Sequence, residues 1–388
     1  MFDTLWWLKE YPHIIGLSKE LKRNTSLKRF FYNTPLLLVR DTENQIHIFF
    51  DVCPHKRAPL EWKKDEIYCP YHGWRFEHNW EIKSIPSSPH LEKKIKCKLH
   101  TIKVEEKYGL IWIFPNGETT HKIPKLDQVM NKNWNHAYKE QIFHTSDDLL
   151  IENFMDSTHT PIVHDGIVRT NKTKTKHTIT VTQKDDIITA TFGETKENVW
   201  LGMNHFFWNK LKISQTDTFL PPNLIQVNYK INNVDRFQAF IWCNQSQNGK
   251  SHGFFLLSYN FWTLLNIVLK LILPFVAKKV IKQDFDITIS QYENQKYFWK
   301  IQENHIDYDL LHNKVKILKL KIQENKDTWF SMSILRGRLR LQNQKLLKKQ
   351  NNIIEKIDNC FIHIIDRIKN VKANQSPPSI IPNILPSL

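Results

Sequence analysis

The sequence predicts an α+β fold in two parts: a small antiparallel β domain over residues 30–118 and a larger domain over 119–330. Three observations carry that expectation. Short apolar runs separated by turn residues fill the first part. Two half-motifs, each a cysteine followed closely by a histidine, interrupt those runs. In the second part, longer β-rich runs surround segments with helical spacing, as in an antiparallel sheet packed with helices.

Taken in order, residues 1–29 read as mixed helix and coil, with Trp6-Trp7 near the start. Apolar runs at 36–40 and 45–51 flank Asp41-Thr42-Glu43-Asn44, a hairpin signal. Residues 101–105 alternate, and 109–114 form a β-rich run that closes at Pro115-Asn116-Gly117. After a polar linker, 177–181 and 187–192 pair around Lys184-Asp185-Asp186. Further strands are expected at 224–231, 237–242 and 253–259.

Residues 254–277 are the most apolar stretch, interrupted by Asn260, Asn266, Lys270 and Pro274. They read as the end of a strand followed by a buried or surface-seated helix, with peripheral membrane contact as an alternative. Residues 331–375 form a basic amphipathic helical tail, in which Arg336, Arg338 and Arg340 flank a stripe including Leu335 and Leu339. The Pro-rich end, 376–388, is expected to be disordered.

A net charge of +16 suits an acidic partner or an anionic surface. Nucleic acid is set aside because no reading motif accompanies the charge. Of five cysteines, Cys97, Cys243 and Cys360 are widely spaced singletons, as in reduced thiols of a reducing compartment. Met1-Phe2-Asp3-Thr4 lacks a basic segment followed by an apolar one, so a cytoplasmic location is expected.

The chemistry is concentrated in two motifs. Cys53-Pro54-His55 and Cys69-Pro70-Tyr71-His72-Gly73-Trp74 together supply two thiolates and two imidazoles. That is the ligand set of a [2Fe–2S] centre in which two histidines replace two cysteines on one iron and raise its potential. A structural zinc is the rival reading, but here each half places Cys before His, whereas zinc fingers pair like with like. The second motif runs Glu152-Asn153-Phe154-Met155-Asp156-Ser157-Thr158-His159-Thr160-Pro161-Ile162-Val163-His164. Asn153, Asp156 and His159 are three apart, as on one face of a helix. Two histidines with one carboxylate make the facial triad that holds non-haem Fe(II) and leaves positions open.

In this order the two motifs resemble the catalytic α-subunit of Rieske non-haem iron oxygenases, over about residues 6–299. The nearest likeness is to the aromatic ring-hydroxylating vanillate demethylase, phthalate dioxygenase and pheophorbide a oxygenase-like branch. The resemblance implies a Rieske domain followed by a helix-grip-like catalytic domain. Cys53, His55, Cys69 and His72 would hold the [2Fe–2S] cluster, although the connector 56–68 is shorter than usual and lacks a glycine. His159 and His164 would bind a mononuclear Fe(II). Asp156 would bridge His159 to a Rieske histidine of a neighbouring subunit and help orient the His159 ring. Asn153 would either steady that bridge or be an ordinary helix-surface amide. Gln283-Asp284-Phe285-Asp286, followed by Gln291, resembles the family's segment carrying the third ligand. Asp284 takes that role, with Asp286 the alternative and two solvated aspartates the plainer reading.

The family's layout further implies a head-to-tail homotrimer that brings one subunit's cluster beside the next subunit's iron. No flavin or nicotinamide fingerprint and no plant-type ferredoxin pattern is present, so electrons are expected from a separate reductase or ferredoxin. The implied activity uses O₂ to hydroxylate, dihydroxylate or oxidatively demethylate an apolar aromatic or polycyclic substrate. A Rieske electron-transfer protein without oxygenase activity and a zinc-stabilised membrane scaffold are the alternatives. Intact Asp156, His159 and His164 argue against the first.

Overall fold

The computed structural model describes residues 10–168, 179–195 and 212–322, apart from positions 78, 118, 120, 299, 302, 303, 305, 307 and 308. The hairpin signal at 41–44 forms as expected. The Asp41 carboxylate accepts from the Gln45 amide at 2.8 Å and Asn44 takes a left-handed φ of 68°. The turn joins β3 (Thr34–Arg40) to β4 (Ile46–Phe50), with Leu38 opposite Ile48. β9 (Thr101–Lys107) and β10 (Leu110–Phe114) extend the sheet.

Within 1–29 the structure departs from the helix-and-coil expectation. β1 (His13–Leu17) pairs with β10, and β2 (Thr25–Phe31) with β3. β1 is five residues long, holds a glycine and finds its partner some ninety residues later, so no local pattern marks it. The resulting sheet runs β1-β10-β9-β4-β3-β2. Trp6 and Trp7 lie outside the described residues.

A second, four-stranded sheet carries the Cys/His loops: β5 (Glu61–Lys63), β6 (Glu66–Tyr68), β7 (Arg75–Phe76) and β8 (Ile82–Ser84). The short connector between the motifs is the β5–β6 hairpin. Its two-residue turn places Lys64 at φ 52° and Asp65 at φ 62°, so non-glycine residues take the left-handed positions that such a turn requires.

The third sheet has seven strands in the order β11-β17-β16-β15-β14-β13-β12. These are β11 (Asn135–Phe143), β12 (Ile179–Lys184), β13 (Ile187–Thr195), β14 (Ile213–Leu220), β15 (Leu224–Ile231), β16 (Val234–Gln245) and β17 (Ser251–Tyr259). Helices α1 (Asp127–Met130), α2 (Asp147–Met155), α3 (Thr160–Val163) and α4 (Thr263–Phe298) accompany it. Ser146 caps α2 by accepting from the Leu149 amide. As expected for 254–277, a strand end gives way to a helix, but α4 runs on through Pro274 for 36 residues. No helix among the described residues is long and apolar enough to cross a membrane.

Leu150, Met155, Ile241, Phe255, Leu273 and Ile281 share one buried apolar cluster, tying α2 and α4 to the third sheet. A second cluster spans the two β systems, where Trp112 of β10 meets Trp242 of β16 edge-on at 5.6 Å. The chain divides into two units, Met1–Gln323 and Glu324–Leu388. The tail at 331–375, the end at 376–388 and Cys360 lie outside the described residues.

Candidate metal centres

The two Cys/His loops repeat one backbone design. The Cys53 amide donates to the Ala58 carbonyl and Arg57 donates back to Cys53; the Cys69 amide donates to Trp74 and Gly73 donates back to Cys69. Residues at the same offset, Arg57 and Gly73, take left-handed φ of 61° and 71°. Both cysteines are buried, and burial, reinforced by the adjacent Cys69, pushes the Cys53 thiol above its usual value. The His55 and His72 rings lie 4.6 Å apart, and His55 stacks on Trp74 at 4.8 Å. His72 Nδ1 is buried without a hydrogen-bond partner among the described residues, as a metal-binding nitrogen would be.

His159, His164 and Asp284 converge from separate elements. His159 stands at the start of α3, His164 at its end and Asp284 within α4. The His164 Nε2 lies 3.0 Å and the His159 Nε2 3.5 Å from Asp284 Oδ1, with 3.3 Å between the two nitrogens. Among the described residues they are the one set of three whose donor atoms all lie within 4.8 Å. Asp284 is buried and its Oδ1 has no aligned hydrogen-bond donor. Burial raises the Asp284 carboxyl, but the His159 and His164 rings outweigh it and hold it below the usual carboxylate value. Asp286 instead faces solvent and pairs with Lys282 at 2.6 Å, which leaves Asp284 as the carboxylate at this centre.

A Rieske [2Fe-2S] domain is matched over residues 12–94, and a Vanillate O-demethylase oxygenase C-terminal domain over 143–318. The chain belongs to the Rieske non-haem iron oxygenases. It is 27% identical over 160 residues to chlorophyllide a oxygenase of Arabidopsis thaliana, covering 40% of this chain and 29% of that one. It is 28% identical over 174 residues to the vanillate O-demethylase oxygenase subunit of Pseudomonas sp. (strain HR199 / DSM 7063), covering 43% and 48%. The chain thus spans less than half the length of these curated relatives. Among solved structures, dicamba monooxygenase bound to dicamba superposes with a TM-score of 0.70 at 18% identity, covering 83% of this chain and 99% of that one.

A Rieske oxygenase carries a [2Fe–2S] cluster and a mononuclear iron, and both residue sets here fit them. Each of the two clustered imidazoles is oriented by a contact at its other nitrogen. His164 Nδ1 donates to the Gln283 side-chain oxygen at 3.1 Å, and His159 Nδ1 donates to the main-chain carbonyl of Asp156. Both rings therefore present Nε2 to the metal position. Burial lowers the His164 ring, but Asp284 and Gln283 outweigh it and raise it. The role of Gln283 was not evident in the sequence, although it sits beside Asp284. Gln283→Leu is expected to weaken iron binding about 10- to 100-fold, with the cluster spectrum unchanged, as measured by chelator competition.

The run from Asn153 to His159 is not one helix. α2 ends at Met155, and Asp156 is extended at φ −93° and ψ 105°. Its Oδ1 accepts from the Thr158 amide at 2.7 Å and the Thr158 hydroxyl at 2.6 Å, a side-chain turn that competes with helix. Asp156 Oδ2 lies 3.9 Å from His159 Nδ1, so the main-chain carbonyl rather than the carboxylate holds the ring. Asn153 is half-buried on α2, and its main-chain carbonyl accepts from the Asp156 amide at 3.2 Å.

His159, His164 and Asp284 open on a cavity of about 360 Å³. Leu269, Leu273 and Val276 of α4 form one wall, and Val227, Ala239 and Phe255 of the sheet another. The sequence showed these residues as apolar without showing that they face a common space.

Proposed function

We propose that this chain is the terminal oxygenase of a Rieske mono- or dioxygenase system acting on an apolar aromatic or polycyclic substrate. The observation that carries the reading is the convergence of His159, His164 and Asp284 on one end of an apolar cavity. When bound there, Fe(II) supplies O₂ activation at the positions that three protein ligands leave open. Hydroxylation, dihydroxylation and oxidative demethylation all suit such a centre, with the cavity choosing among them. Gln283 and the Asp156 carbonyl keep the two rings in one tautomer, and the cavity walls hold substrate beside them and exclude water. Cys53, His55, Cys69 and His72 would hold the relay cluster, fed by a separate reductase or ferredoxin.

A homotrimer would bring the His55–His72 edge of one subunit to Asp156 of the next. Asp156 is part-exposed, and Thr158 engages its Oδ1 while Oδ2 makes no hydrogen bond to His159. Asn153 steadies that turn through its main chain. The deciding experiment is electron paramagnetic resonance on anaerobic, dithionite-reduced protein with iron counted on the same sample. A Rieske signal with three irons per chain supports both centres. The signal with two irons, unchanged after Fe(II) reconstitution, leaves an electron carrier, and zinc without a signal overturns the reading.

We also propose peripheral membrane contact through the outer face of α4. Leu264, Ile267, Leu271 and Phe275 stand exposed there, followed on the same helix by exposed Lys278, Lys279 and Lys282. An apolar face continued by lysines suits an anionic lipid surface. The protein is expected to co-sediment with phosphatidylglycerol vesicles, and Leu271→Glu with Phe275→Glu to abolish that binding.

A further inference from the structure

The first half of α4 is apolar on more than the face that packing uses. At about 100° per residue, Leu264, Val268, Leu271 and Phe275 lie within about 60° of one another, and all four are exposed. Leu269 and Leu273 lie on the other side of the helix, where they line the cavity. Leu265 and Ile272 fall on the flank between the two sets and line the cavity as well. Apolar surface therefore runs round the helix from its outer face to the cavity, with Lys270 on the opposite flank. A helix apolar nearly all round is ordinarily buried in protein or in contact with lipid.

The two walls of the cavity differ in exposure. On the sheet side Ala239, Ile241 and Phe255 are buried, whereas on α4 Leu265, Leu269, Ile272 and Val276 are half-buried. Solvent thus reaches the apolar lining beside the helix. The outer face is framed as a lipid-facing one would be. Exposed Trp262 precedes it, and Lys278, Lys279 and Lys282 continue it on the same side of the helix. An aromatic at one end and lysines at the other suit an anionic bilayer, as does the net charge of +16.

We infer that the cavity takes its substrate sideways from an anionic lipid bilayer, past Leu265 and Ile272: an uncharged polycyclic molecule dissolved in the lipid. This rests on the two readings above, the cavity as substrate site and α4 as the membrane-contacting helix, and adds the route between them. A molecule that crosses water must first be hydrated over its whole apolar surface. A mouth seated on the bilayer removes that step, so transfer on contact is faster than transfer through water.

The test follows benzo[a]pyrene leaving vesicles for the full-length protein, and needs no turnover. The vesicles also carry a lipid-attached quencher, so emission rises as the probe departs. From phosphatidylglycerol vesicles, uptake should rise with protein concentration and run at least about tenfold faster than spontaneous desorption into empty vesicles. From phosphatidylcholine vesicles it should equal that desorption rate. Ile272→Trp and Leu265→Trp each narrow the mouth, and are expected to co-sediment with vesicles as before while slowing uptake at least about threefold. If one variant does not fold, the other decides, and the lipid dependence of the natural protein decides without either. Uptake at the desorption rate from both lipids, with co-sedimentation intact, overturns the lateral route alone, as would be found if another protein covers this face. A natural protein that does not co-sediment overturns it together with the membrane contact. Absence of bound probe at equilibrium overturns it together with the reading of the cavity as the substrate site.

Discussion

His159→Ala is expected to keep the full spectrum of the Rieske cluster while losing mononuclear iron and all turnover. The substitution removes one of three donors that approach within 3.5 Å of one another. It also leaves the Asp284 carboxylate buried with one imidazole fewer beside it, an arrangement that costs stability when no metal compensates. The cluster residues stand on loops of the first domain, between β4 and β5 and between β6 and β7, whereas His159 stands at the start of α3. Iron should fall from three to two per chain with an unaltered resonance signal. Loss of the cluster signal as well would mean that the two centres depend on each other for folding, contrary to their placement on separate elements.

Asp156→Asn should separate metal binding from electron delivery. The main-chain carbonyl of residue 156 holds the His159 ring, and asparagine leaves that carbonyl in place. The new side chain can still accept from Thr158, so the turn after α2 is expected to survive. What disappears is a negatively charged acceptor at the surface where a neighbouring cluster histidine would dock. Both metals should therefore be present at natural levels, while pre-reduced protein mixed with substrate and O₂ yields no product in a single turnover. A fully active variant would remove Asp156 from the electron path.

Much of the fold was legible because the strands announce themselves by alternation or by runs of branched and aromatic residues. β15 was expected at 224–231, where it forms, and β17 differs from its expected start by two residues. Beside β2, β5 to β8 and β11, which were also not expected, two strands show why some were hidden. β1 is short and pairs across the whole first domain. β14 alternates in burial but not in polarity, because Gln215 and Asp217 occupy inward positions that a half-buried strand ordinarily gives to apolar residues. The strand hardest to read is thus the one whose inner residues line the cavity as polar groups. At the His159–His164–Asp284 cluster, spacing pointed to both histidines but misjudged the backbone between Asn153 and His159. Asp156 can support helix or break it through its side chain, and that choice depends on Thr158, which periodicity does not weigh. Asp284 could be separated from Asp286 only in three dimensions, where one faces two imidazoles and the other faces Lys282 and water.

Helix α4 holds the Asp284 carboxylate and also forms one wall of the cavity, and this divides how the protein can acquire new substrates. Leu269, Leu273 and Val276 precede Asp284 on the same helix. A bulkier or smaller residue at these positions is expected to displace the helix, and a close-packed interior passes such strain on toward Asp284. The strands opposite carry none of His159, His164 and Asp284, so a change of size at Val227, Ala239 or Phe255 reaches the site only through side-chain packing. Divergence toward larger or differently shaped substrates should therefore accumulate on the sheet, while the helix wall stays conservative. Directed-evolution libraries built on the two walls separately would differ in the fraction of variants that retain iron.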